Sequence, residues 1–143
     1  MTKEFYSIEE IEKYYDEVNN TYVFEENGEY IDLVVFNFDL DINAHIYANS
    51  ISAWNISVWD IKAYNIDALN INAWDIKSFD IKSWDIKAKN INAWDINAND
   101  INADNISYYA VCFAHKNIKC KSIKGRRKNA KHFVLDGKLE VEE

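Results

Sequence analysis

Isoleucine stands at positions 46, 51, 56, 61, 66, 71, 76, 81, 86, 91, 96, 101 and 106, each five residues after the last. Ordinary elements cannot use this period. Five residues of an α-helix advance about 500°, so successive isoleucines spiral around the axis and form no stripe. In an uninterrupted strand five is odd, so they alternate between faces. One solution keeps every isoleucine on the same side: each five-residue unit runs briefly extended and then turns a corner.

The rest of the unit fits that solution. A small residue follows almost every isoleucine by two positions, as in Ala48, Ala53, Ala63, Ser78, Ser83 and Ala103. Asp or Asn precedes every isoleucine from Ile56 to Ile106. These two residue types suit corners because their side chains bond nearby backbone groups. The unit therefore reads [Asp/Asn]-Ile-x-[Ala/Ser]-x, with Ile and the small residue inside a coil and the other three positions outside. The fold class expected is mainly β, a β-solenoid. Thirteen buried isoleucines, at about 1.5–3 kcal/mol each, supply on the order of 20–40 kcal/mol before backbone entropy is subtracted.

This unit resembles the pentapeptide-repeat family, and the resemblance covers residues 46–107. It implies a right-handed quadrilateral β-helix with four units per coil. One departure is visible: the family places its small residue directly before Asp/Asn, whereas here Trp74, Phe79, Trp84, Lys89, Trp94 and Asn99 occupy that place. Four units per coil imply about three regular coils, with residues twenty apart stacked at about 4.8 Å. Trp54, Trp74 and Trp94 then form one nearly uncharged column. Asp60, Asp80 and Asp100 form a second, beside Lys62 and Lys82. Asp75, Asp95, Lys77, Trp59 and Phe79 form a third. An aromatic column on a solenoid reads as a stabilising ladder, as a contact face for a protein partner or second copy, or, least favoured, as a sugar-binding face.

Three regions follow from the pattern. Residues 1–42 form an acidic cap, 43–109 the solenoid, and 110–143 a degenerate coil with a basic segment. In the cap, Ser7 with Glu10 reads as a capping box before a helix over 8–19. Asn27-Gly28 marks a hairpin over 22–35. After the repeat, Phe113, Ile118 and Ile123 continue the inward spacing, and Asp136-Gly137 marks a C-terminal hairpin. The helix and hairpins are expected to close the ends.

Charge is distributed unevenly. Residues 1–40 carry 11 acids against 2 lysines, and residues 110–143 carry 9 Lys/Arg against 4 acids, within a net charge of −8. Such ends attract each other within a compact chain or between neighbouring copies. The hydrophobic fraction of 48% excludes wholesale disorder, and no apolar run approaches a membrane span. The start lacks the apolar core of a signal peptide, so the chain is expected in the cytoplasm, with no membrane partner. Cys112 and Cys120 are expected as reduced, structural thiols, because with His115 and His132 they fit no compact zinc spacing. Neither a metal nor a cofactor is expected.

The three histidines are scattered, no serine has a plausible triad and no glycine loop cradles phosphate, so the expectation is a protein that is not an enzyme. The leading function is protein binding. The family resemblance implies a more specific form, a DNA mimic that inhibits or protects a DNA-processing enzyme, either a topoisomerase or a restriction or CRISPR nuclease. Partner-binding candidates are Trp54, Trp74, Trp94, Asp60, Asp75, Asp80, Asp95 and Asp100. One alternative is a self-associating scaffold, possible as a homodimer, that presents an aromatic face. A second, less favoured, is nucleic-acid contact through Arg126, Arg127 and Lys128.

Overall fold

The computed structural model describes residues 1–142, apart from the side chains of Tyr64, Leu69, Asn70 and Asp80. The chain is mainly β, a parallel, solenoid-like stack of extended segments. It begins with β1 (Thr2–Phe5), a 3-10 helix (Ile8–Tyr14), β2 (Tyr15–Asp16) and β3 (Thr21–Val23). The short pair β4 (Glu25–Glu26) and β5 (Glu29–Tyr30) follows, then β6 (Leu33–Phe36), β7 (Leu40–Asp41), β8 (His45–Tyr47) and β9 (Ser50–Ser57). The segment β10 (Asp60–Cys120) is extended throughout and winds back onto itself. The chain ends with β11 (Ser122–Gly125), β12 (Lys131–Val134) and β13 (Leu139–Val141).

The ladder pairs residues fifteen apart. Ile61 pairs with Ile46, Ile66 with Ile51 and Ile71 with Ile56, all in parallel. Three five-residue units therefore complete one turn, and the expected twenty-residue stacking with four sides is corrected to three. A period of five dictates that each unit bends but not how sharply. Here the bend averages one third of a turn rather than one quarter. Stacking fifteen apart also leaves runs of no more than two successive acids along any edge, whereas twenty would align Asp60, Asp80 and Asp100.

Ile and the small residue fill the interior as the repeat requires. The repeat isoleucines are 1–2% exposed, and Ala73, Ala93, Ala98 and Ala103 lie beside them in the core. Ser78 and Ser83 take the same inward place, and the Ser83 hydroxyl donates to the Asp85 carbonyl at 3.0 Å. Each turn has a first face through Ile61, Ile76, Ile91 and Ile106. A second runs through Ile51, Ile66, Ile81 and Ile96, and a third through Ile56, Ile71, Ile86 and Ile101.

The ends differ from the expected elements. The helix is a 3-10 helix of seven residues, not a segment over 8–19, because Tyr15–Asp16 turns out to pair antiparallel with β3. Ser7 makes no side-chain cap bond; Glu10 instead accepts from the Tyr6 N–H at 2.7 Å. Ile11 and Tyr14 seal the first turn against Phe5, Phe24 and Phe36. The hairpin is confined to β4 and β5, with Asn27 and Gly28 both at positive φ. Its expected flanks belong to the coil instead, β3 pairing with β8 and β6 with β1 and β9.

At the other end, β12 and β13 each pair in parallel with β10. Asp136-Gly137 is thus a coil corner rather than a hairpin turn. A Cβ on Gly137 would overlap the Lys116 backbone carbonyl, which explains the glycine. The turn lengthens here, Ile106 pairing with Ile123 seventeen residues on. Cys112 and Ala114 point inward in place of the expected Phe113, and Cys120 is also buried. Burial, with Cys120 nearby, pushes the Cys112 thiol up to about 12, consistent with an inert core residue. Tyr108 is the one bulky residue in the small inward place, and it fits because Gly125 lies directly above it. Its hydroxyl meets His132 Nδ1 at 2.6 Å.

Candidate partner-binding edge

With the register at fifteen, the outside sorts into three edges. The edge between the third and first faces stacks Trp59 on Trp74 at 5.3 Å and 3° between planes. His45 meets Trp59 edge-on and the Lys89 ammonium lies 5.1 Å over Trp74. The edge between the second and third faces carries Trp54 and Trp84, both exposed. The edge between the first and second faces stacks Phe79, Trp94 and Tyr109, with centroids 4.7 and 5.1 Å apart. The expected column of Trp54, Trp74 and Trp94 is therefore not formed: the three indoles stand on three different edges.

The acids are likewise redistributed. Along the first face His45, Asp60, Asp75, Asn90, Asn105 and Ser122 form a hydrogen-bonded ladder. His45 Nδ1 lies 2.7 Å from Asp60 Oδ2, and the Asp75 N–H donates to Asp60 at 3.2 Å. Asn90 donates to Asp75 at 2.8 Å, Asn105 to Asn90 at 2.9 Å, and the Ser122 hydroxyl to Asn105 at 2.9 Å. Asp95 accepts from the Val111 N–H at 3.1 Å, and Asp100 from the N–H and amide of Asn117 at 3.2 Å. The side chain of Asp80 lies outside the described residues. Asp60, Asp75, Asp95 and Asp100 thus hold successive turns together, and the columns expected for them are corrected accordingly.

The basic candidates divide. The Arg126 guanidinium reaches back two turns, donating to Asn92 Oδ1 at 2.6 Å and to the Ala93 carbonyl at 2.8 Å. Arg127 and Lys128 are exposed at the last turn.

One arrangement stands out. The Phe79–Trp94–Tyr109 edge overlooks a shallow groove of about 450 Å3 lined by Lys62, Lys77, Phe79, Asn92, Trp94 and Arg126. Phe79, Trp94 and Tyr109 are 44%, 49% and 40% exposed. Each ring lies against its neighbour at a tilt of 35°, so a partner covering the row meets side chains already in contact with one another. Arg126 was singled out from the sequence as a nucleic-acid candidate and serves here as a brace beside Trp94. Tyr109 was not singled out, although the aromatic spacing at 79, 94 and 109, and at 59 and 74, carried the fifteen-residue period. No family model, curated protein or solved structure matches the chain. No helix among the described residues is long and apolar enough to cross a membrane.

Proposed function

We propose that the chain is a non-enzymatic, protein-binding solenoid, akin to pentapeptide-repeat proteins but three-sided, wound right-handed, with about four regular turns over residues 46–107. Its binding face is the Phe79–Trp94–Tyr109 edge with Lys77 beside it. The carrying observation is the continuous exposed aromatic row, because Trp and Tyr are enriched among the residues that anchor protein interfaces and exposed apolar patches mark contact sites. The edge carboxylates are engaged in holding turns together, which leaves them poorly placed for acid–base chemistry.

The test is affinity capture from a cell lysate with the wild-type chain, Trp94→Ala and Trp54→Ala. A partner retained by the wild type and Trp54→Ala but lost from Trp94→Ala supports the edge; equal retention by all three, or none by any, counts against it. The DNA-mimic form is a second reading, favoured by the net charge of −8 and the acidic N-terminal cap. It requires that duplex DNA displace the captured protein at ~50 mM salt and that ~300 mM salt release it. The acids reach at most two successive turns on any edge, so the mimic would rest on the cap.

A further inference from the structure

The two ends of the coil are built differently, and the difference points to a second copy of the chain. At the first turn, the 3-10 helix closes the core, with Ile11 and Tyr14 buried and Glu9 and Glu12 exposed. Glu4, Tyr6, Tyr15 and Glu17 are exposed on the same terminal turn. Among the described residues the last turn has no such closure. Ile123, Ala130 and Val134 are only partly buried, and Phe133, Leu135, Leu139 and Val141 are exposed. Its strands β11, β12 and β13 each pair with β10 alone among the described residues, so their other edges are free. A free parallel edge with apolar side chains is a template for another chain. The basic groups gather there: Arg127, Lys128, Lys131 and Lys138 are all exposed.

We infer that the open basic end docks on the acidic capped end of a second copy, head to tail. Charge and strand direction both select this geometry. Two basic ends brought together by a two-fold axis repel, whereas residues 1–40 of the next copy carry 11 acids against 2 lysines. In addition, β1 at the capped end pairs only with β6 among the described residues. It lies on the second face, where β12 is the outermost strand at the open end. Head-to-tail stacking alone places β12 and the next copy's β1 parallel, continuing the ladder. Such a contact is heterologous, so assembly does not stop at two.

The experiment is sedimentation velocity of the full chain over a concentration series at ~50 and ~300 mM salt. The expected result is a mass that grows past the dimer with concentration at low salt and falls back at high salt. Arg127→Glu/Lys128→Glu/Lys131→Glu and, separately, Glu9→Lys/Glu12→Lys should each remain monomeric, with unchanged circular dichroism. Mixing the two should restore growth, since every junction is then acidic against basic. A wild-type monomer throughout, a species that stops at two, or failure of the mixture to associate overturns the proposal. Trp94→Ala should assemble normally, which separates this surface from the aromatic edge.

Discussion

At the scale of single residues, the informative positions are those where one side chain forces another. Tyr108 occupies a place reserved for alanine, and Gly125 above it is the compensation. A Cβ at Gly125 would lie 2.8 Å from the Tyr108 hydroxyl and overlap Ala130. Gly125→Ala should therefore lower stability by about 1–3 kcal/mol, read from the urea midpoint. Gly137→Ala should cost more, because the Lys116 backbone carbonyl stands closer still to the added Cβ. Ile86→Ala, in the middle of the interior, should cost about 2–5 kcal/mol. From the sequence, Gly125 is visible only as a small residue; Tyr108 as its cause is not, since nothing local shows which ring lies beneath it.

At the scale of elements, the edges are held by ladders rather than by single bonds. Asn90 joins Asp75 below to Asn105 above, donating to one and accepting from the other. Asn90→Asp removes the donor and aligns Asp60, Asp75 and a third carboxylate. It should lower stability by about 1 kcal/mol more than Asn90→Ala at low salt, with the difference shrinking as salt rises. The repeat was fully legible in its inward positions, because the contrast of Ile and Ala against polar neighbours is strong. The helix over 8–19 and both hairpins were read from local signals, a capping box, Asn-Gly and Asp-Gly. Those signals mark where the chain turns, and at 25–30 the hairpin formed. Elsewhere the flanking residues joined strands of the coil, in parallel for the hairpin flanks and antiparallel for Tyr15–Asp16, since pairing with an existing strand edge satisfies more backbone than a short isolated helix or hairpin.

At the scale of the whole molecule, the cap and the winding decide behaviour. Glu26 ties the cap together, accepting from Lys3 at 2.7 Å and from the Tyr14 hydroxyl at 2.7 Å, with Lys13 at 3.5 Å. The Lys3 bond, then Tyr14, lower its carboxyl to about 2, while burial and the same bond raise the Tyr14 hydroxyl. A carboxyl depressed on folding stabilises above its unfolded value and loses that contribution as pH falls through the folded one. The Glu26 contribution is thus present above pH ~4.5 and lost toward pH 2. The urea midpoint of Glu26→Gln should fall less than that of the wild type as pH is lowered across that window.

The winding is the claim on which the aromatic edge depends, since Phe79, Trp94 and Tyr109 are neighbours only if fifteen residues make a turn. Five-residue units are compatible with three or four sides, and the choice lies in the corner angle, which no single unit reveals. Paired cysteines decide it directly. Ser52 and Asp67 are register partners on one face, within reach of a disulfide, whereas Asn72, twenty residues from Ser52, lies on the next face. Under mild oxidation the Ser52→Cys/Asp67→Cys chain should close an intrachain disulfide, with loss of reactive thiol and of two mass units. The Ser52→Cys/Asn72→Cys chain should stay reduced. Closure of the second pair and not the first would contradict the three-sided coil and dissolve the aromatic edge with it.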